Sequence, residues 1–97
     1  MPRYMDTGVV ESTTLGYEDH GLFIAQICLD FGGGSHQCIQ ACLEEPDIGP
    51  FVTNILRVAN VDEWEQLIGV RLTVHRDVPY GYITAVSNGP RYYRWGG

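Results

Sequence analysis

The side chains best suited to hold a metal ion lie on either side of a glycine triplet. Cys28 and Asp30 precede Gly32–Gly34, and His36 and Cys38 follow it. If the glycines close a β-hairpin, these four side chains share one face, and Cys, His and Asp are established zinc ligands. A structural zinc site normally uses a Cys-x2-Cys knuckle, which the chain lacks. The alternative is packed thiols beside an Asp30–His36 surface pair, and we predict no cofactor.

A second titratable group directly follows Tyr17, where Glu18, Asp19 and His20 occur in succession. These side chains could hold a divalent cation or supply an acid–base pair. Neighbouring side chains rarely converge on one point, however, and all three residue types are common in solvated β-turns. We therefore interpret Tyr17 to His20 as a surface turn that could contact a ligand or a partner.

The C-terminal segment interleaves arginines with aromatic residues, and only seven residues follow Pro90. Such side chains form protein-interface hot spots and base-stacking platforms, although so short a segment is a weak nucleic-acid signal. The alternative is a last strand or arm that folds back over the sheet to cover Ile24 and Cys42. The candidate binding residues of this segment are Arg91, Tyr92, Tyr93, Arg94 and Trp95.

No catalytic motif accompanies these groups. The chain has no Lys and no Gly-x-Ser-x-Gly sequence. The Gly32–Gly34 triplet joins two predicted strands, whereas a phosphate-binding loop carries Lys and precedes a helix. None of the cysteines has a base partner that the sequence makes evident. We therefore predict that the protein is not an enzyme.

Alternation of apolar and polar residues predicts the strands that position these groups. Phe23, Ala25, Ile27, Leu29 and Phe31 share one parity and therefore one face of the strongest strand. Strands are expected over residues 8–17, 21–31, 35–43, 70–76 and 82–87. In the strand over 70–76 the inward residues are Val70, Leu72 and Val74, and the outward ones are Arg71, Thr73 and His75.

The register of the glycine hairpin follows from its apolar face. A three-residue loop of Gly32–Gly34 would place Phe31 opposite Ser35 and Leu29 opposite Gln37. This register makes one face almost wholly apolar, as a core-facing sheet requires. The other expected pairs are Ile27 with Ile39, Ala25 with Ala41, Phe23 with Leu43, Asp30 with His36, and Cys28 with Cys38.

After Pro50 the apolar spacing changes to that of a helix, with Pro50 at its first position. Asp62 and Glu65 form a capping-box pattern for a second short helix or a kinked continuation, which Gly69 would end. The apolar face of the first helix comprises Phe51, Val52, Ile55, Leu56, Val58 and Ala59. The element order βββ-α(α)-ββ predicts an α+β fold, an antiparallel sheet with the helix or helix pair on one face. We expect one domain over residues 1–97, with residues 1–7 and 90–97 as arms.

The charge is concentrated in one half of the 97-residue chain, whose formal net charge is −6. Residues 1–49 hold one base and eight acids, whereas residues 50–97 hold five bases and four acids. An acidic half repels phosphate and suits a basic partner surface, so direct nucleic-acid binding is not expected. The alternative is that the acids serve solubility alone. No apolar run is long enough for a membrane-spanning helix, so no membrane partner is expected.

The number of cysteines indicates the redox state of the protein's cellular compartment. Three cysteines without an apolar N-terminal run predict free thiols and a cytoplasmic location. A Cys28–Cys38 disulfide across the hairpin is geometrically conceivable, but it needs oxidising conditions.

The run Thr13–Gly21, TTLGYEDHG, resembles the opening signature of a family of small phage and prophage proteins of unknown function. The likeness covers about residues 10–76, including the Gly32–Gly34 turn and the FVTNILRV helix that starts at Phe51. The chain departs from the family at His36–Gln40, where the family carries a Gly- and aromatic-rich segment. The resemblance implies a phage origin, and therefore the cytoplasm of the bacterial host.

A phage origin suggests an accessory protein that disarms host defence. The first interpretation is a stoichiometric inhibitor, for example of a CRISPR effector, with the acidic half and the tail aromatics as its contacts. The alternative is a protein that sequesters a nucleotide second messenger, with the Tyr17–Gly21 turn near phosphate-binding arginines at an interface between identical copies. A metal-dependent enzyme that uses Glu18, Asp19 and His20 ranks last.

Overall fold

Six antiparallel strands form one sheet in the computed structural model, which describes residues 4–42, 48–79 and 81–95. The elements are β1 (Tyr4–Tyr17), β2 (Phe23–Gly32), β3 (Ser35–Cys42), α1 (Ile48–Ala59), a short 3₁₀ helix (Trp64–Leu67), β4 (Arg71–Arg76), β5 (Ile83–Asn88) and β6 (Arg91–Arg94). The strand order is β3-β2-β1-β4-β5-β6, and one helix packs on the sheet. This arrangement confirms the α+β class, with a sixth strand that the sequence analysis left open.

The side chains of β2 that face the helix are the ones that its apolar alternation predicts. Ala25, Ile27 and Leu29 are fully buried, whereas Phe23 and Phe31 near the strand ends are half-buried. Strand period two places these side chains on one face, which we call the core face. The opposite face of the sheet is called the outer face.

The register of the β2–β3 hairpin is also confirmed, since Leu29 pairs with Gln37 and Ala25 with Ala41. The predicted loop is wrong in detail because Gly32, not Phe31, lies opposite Ser35. The register shifts between Asp30 and Gly32, so a two-residue turn connects β2 and β3 after an irregularity in their pairing. All three glycines have positive φ, which glycine adopts readily because it has no Cβ. Leu43, the expected partner of Phe23, lies outside the described residues.

Helix α1 buries the predicted apolar face but begins two residues before Pro50. Proline is accepted in the first turn because the amides there have no partner within the helix. The helix ends where Asn60 adopts a left-handed conformation, with φ 61°, and the Val61 amide donates to the Leu56 carbonyl at 3.1 Å. The buried face of α1 comprises Phe51, Ile55, Val58 and Ala59.

The second helical segment differs from its prediction. Its capping box uses Glu63 and Gln66, one residue later than the expected Asp62 and Glu65. A 3₁₀ helix has three residues per turn, so Trp64 and Leu67 lie on one face and are both buried. Ile68, the next residue, points away from that face and is exposed.

Parts of both expected arms pair in the sheet, namely residues 4–7 in β1 and Arg91–Arg94 in β6. Residues 4–9 of β1 pair with β4, from Tyr4 opposite Arg76 to Val9 opposite Arg71, and the later part of β1 pairs with β2. A register shift between Val10 and Ser12 marks the change of partner. β1 is therefore the strand that joins β2 and β3 to the rest of the sheet.

Candidate functional site

The β1–β2 turn is organised around the Glu18 carboxylate. The backbone amides of His20 and Leu22 donate to its Oε1 at 2.6 and 3.2 Å, and His20 Nδ1 lies 3.1 Å from its Oε2. The side-chain hydrogen bond with His20, followed by that with the Leu22 amide, lowers the pKa of Glu18 below its ordinary value. Among the described residues Asp19 joins no group of three metal-ligating side chains. The Glu18–Asp19–His20 triplet therefore forms a structured turn rather than a convergent metal site.

Apolar side chains project beside this turn. Leu15 is 51% exposed and Tyr17 is 76% exposed, although both pair with β2 residues of the core face. The Tyr17 ring meets Phe23 edge to face, with the ring centroids 5.3 Å apart. The core face therefore continues past the helix and is open to solvent at the hairpin tip. We call Leu15, Tyr17, Leu22 and Phe23 the tip patch.

The aromatic tail is built into the fold. Residues Arg91–Arg94 form β6, which pairs with β5. The Trp95 ring lies 5.6 Å from Phe51 of α1, and Tyr93 also packs against the core. Arg94 donates to Asp77 at 3.0 Å, and this contact raises its pKa. These side chains stabilise the sheet edge, while Arg91 and Tyr92 remain exposed.

The position of β6 confirms only part of the second interpretation of the tail, a last strand or arm that covers Ile24 and Cys42. β6 is the edge strand on the side of the sheet opposite β3, the strand that carries Cys42. The tail is thus a last strand, as one interpretation expected. The tail through Trp95 does not cover Ile24 and Cys42, because the turn at Gly89 and Pro90 returns it along β5.

Cys28 and Cys38 form a disulfide across the β2–β3 hairpin. Their predicted pairing in the register is confirmed, but the prediction that they are free thiols is wrong. Side chains directly opposite on antiparallel strands are close enough to be bridged. In this state the two sulfur atoms are not available as metal ligands, so the candidate set of Cys28, Asp30, His36 and Cys38 is incomplete.

A different third side chain joins Asp30 and His36. Glu11 of β1 approaches them, with its Oε2 2.6 Å from His36 Nδ1. The ligand-type atoms of the three residues all lie within 4.8 Å of one another on the outer face. The sequence analysis missed Glu11 because alternation does not reveal the register shift between Val10 and Ser12.

A polar cavity of about 700 Å³ opens where the start of β1 faces the start of β3. Arg76 lies in its wall, with its side chain only 9% exposed. The guanidinium donates to Asp6 Oδ2 at 2.7 Å and to Gln37 Oε1 at 2.6 Å, and it lies 5.5 Å from the Phe31 ring centroid. The lining residues are Tyr4, Met5, Asp6, Ser35, Gln37, Arg76 and Pro79.

Sequence analysis also missed Arg76, although a signal was present. Arg76 lies two residues after Val74 and therefore shares the inward parity of Leu72 and Val74 in β4. A buried arginine of that parity must satisfy its donors inside the protein, here with Asp6 and Gln37.

Comparison of the chain with family models, with curated proteins and with solved structures finds no match to any of the three. Across the described parts of the chain, none of the helices has the length and apolar character needed to cross a bilayer.

Proposed function

We propose that this protein is a non-enzymatic binding protein of phage origin that inhibits a host defence protein, such as a CRISPR effector, in the bacterial cytoplasm. In that reducing compartment the Cys28–Cys38 disulfide would be reduced, and the inhibition proposed here does not require it. The observation that carries the proposal is the tip patch, which exposes Tyr17 and Leu15 directly beside Glu18 and Asp19. Protein interfaces combine an apolar, often aromatic centre with a polar rim.

The charge of the chain supports a basic partner. Residues 1–49, which include the whole β1–β2 hairpin, hold eight acids and one base. Complementary charge steers association and excludes partners of like charge. A nucleic-acid-binding groove presents such a basic surface, and an acidic protein seated on it would exclude the nucleic acid. Inhibition of this kind needs no catalytic group.

The turn is ordered before it meets a partner. The Glu18 carboxylate accepts two backbone hydrogen bonds within the turn, and the Tyr17 ring rests against Phe23. A preorganised contact loses less conformational entropy on binding than a mobile one. We therefore assign Tyr17 as the aromatic anchor, with Glu18, Asp19 and His20 around it.

Replacing Tyr17 with alanine is expected to weaken binding to the partner by about tenfold or more, because an exposed aromatic anchor is lost. The measurement is biolayer interferometry of the full chain against a panel of purified guide-loaded CRISPR effectors at low and high salt. Tyr82→Ala is the matched control, since Tyr82 is 89% exposed and lies outside the tip patch.

The expected result is an effector bound tightly at low salt, more weakly at high salt and equally well by Tyr82→Ala. If no effector binds, or if both variants bind like the unmodified chain, the proposal is wrong.

The Arg76 cavity favours a second candidate, sequestration of a nucleotide second messenger. Its volume lies in the range of small-molecule sites, and an arginine can bind phosphate in a bidentate geometry. The Tyr17–Gly21 turn, where such a ligand was expected, does not line this cavity. A nucleotide phosphate would have to share the guanidinium with Asp6 and Gln37.

For this candidate, cyclic dinucleotides are expected to raise the thermal midpoint of the unmodified protein and of Arg71→Met, but not of Arg76→Met. Arg71 is the control because it is an exposed arginine of the same strand. Equilibrium dialysis of the folded variants separates lost binding from lost stability. An unmodified protein that retains no cyclic dinucleotide would exclude this function.

A further inference from the structure

Three side chains from three strands converge on the outer face: Glu11 of β1, Asp30 of β2 and His36 of β3. Asp30 and His36 are direct partners in the β2–β3 register. A nitrogen ligand and two carboxylates therefore meet at one point on a paired sheet. Sites on paired strands hold their geometry better than sites on loops.

Local structure orients two of the three side chains. Val10 pairs with Leu29 and Ser12 with Cys28, so Glu11 is the extra residue of a bulge and has no partner on β2. A bulge re-aims the side chain that it carries, and here that side chain reaches His36. The Asp30 carboxylate accepts a hydrogen bond from the Gly32 amide at 2.8 Å through Oδ1. This hydrogen bond fixes the orientation of the carboxylate, as hydrogen bonds from surrounding groups fix the orientation of metal ligands.

We propose that Glu11, Asp30 and His36 bind a divalent transition-metal ion, with Zn²⁺ as the probe. Zinc binds imidazole nitrogen and carboxylate oxygen at about 2.0–2.2 Å. The ligand atoms of the three residues already lie within 4.8 Å of one another, so small side-chain rotations would place them around one ion. Two carboxylates and a neutral imidazole balance the charge of the cation. The imidazole nitrogen that contacts Glu11 must release any proton it carries to solvent when it binds the ion.

The ligand atoms of Glu11, Asp30 and His36 differ from those of the candidate set considered in the sequence analysis. With Cys28 and Cys38 joined in a disulfide, the ligands are nitrogen and oxygen atoms, which suit zinc, cobalt and nickel. Three protein ligands leave a coordination position for water. The site does not depend on the tip patch, so its test is independent of the proposed inhibitor function.

The test is isothermal titration calorimetry of the oxidised full chain with zinc chloride. We expect one ion per chain, with binding weakened about tenfold or more by His36→Ala and by Asp30→Asn. His20→Ala is the matched control, because His20 also contacts a glutamate but belongs to no group of three ligand atoms among the residues that the structure describes. Circular dichroism establishes that each variant is folded.

NMR identifies the residue that holds the ion. Zinc should shift the ring signals of His36 and leave those of His20 unchanged. The proposal fails if the unmodified protein binds no zinc, if His36→Ala binds it unchanged, or if His20→Ala weakens binding as strongly as His36→Ala. In those cases the contact between Glu11 and His36 is a hydrogen bond without a metal-binding role.

Discussion

Replacing Trp64 with alanine is expected to lower the free energy of unfolding by about 3–5 kcal/mol, the range for truncating a buried aromatic residue. Trp64 is only 5% exposed and belongs to the core between the sheet and α1. Its indole N–H also donates to the Thr14 carbonyl of β1 at 3.1 Å. Replacement by alanine would leave a cavity and would also remove this hydrogen bond. Urea denaturation followed by circular dichroism measures the loss.

Trp64→Phe is the control, since it keeps an aromatic ring but cannot donate the hydrogen bond. Its expected cost is smaller, about 1–2 kcal/mol. Thr14 immediately precedes Leu15 of the tip patch, so loss of this bond should also loosen the hairpin tip. If Trp64→Ala costs only about 0.5 kcal/mol, as a surface substitution would, the placement of Trp64 in the core is wrong.

Removing the Cys28–Cys38 disulfide with the double change Cys28→Ala and Cys38→Ala is expected to lower the free energy of unfolding by about 2–3 kcal/mol. The bond closes a loop of sequence separation 10 and restricts the unfolded chain. The measurement is urea denaturation with and without a reductant. Reductant should destabilise the unmodified protein by the same amount and leave the double variant unchanged.

Cys42→Ala controls for general effects of replacing cysteine, since Cys42 is not in a disulfide. It should remain sensitive to the reductant, because the Cys28–Cys38 bond is intact in it. A reductant that leaves the unmodified protein as stable as before would show that the bond does not form in solution or does not stabilise the fold.

Much of the sheet could be predicted because the apolar pattern leaves little choice. A shift of β2 by one residue would expose Ile27 and Leu29, so the register with β3 follows from burial alone. The glycine turn was less determined, because three successive glycines accept several backbone conformations. The predicted capping box of the 3₁₀ helix lies one residue too early, because Asp62 and Glu63 each begin a possible capping pattern.

The sites were harder to predict because they depend on pairing between distant parts of the chain. Arg76 meets Asp6 and Gln37 only because β4 pairs with β1 and because the sheet brings β3 near them. Glu11 reaches His36 through a bulge that no period-two pattern contains. The hairpin partners Asp30 and His36, by contrast, are local and could be paired from sequence.

The division of β1 between two partners has a consequence for synthesis on the ribosome. Its later half can pair with β2 as soon as that neighbouring strand emerges. Its first half must wait for β4, since Tyr4 pairs with Arg76 near the other end of the chain. Until then the nascent protein exposes unpaired backbone amides and carbonyls, and closure of this long-range contact should limit the rate of folding.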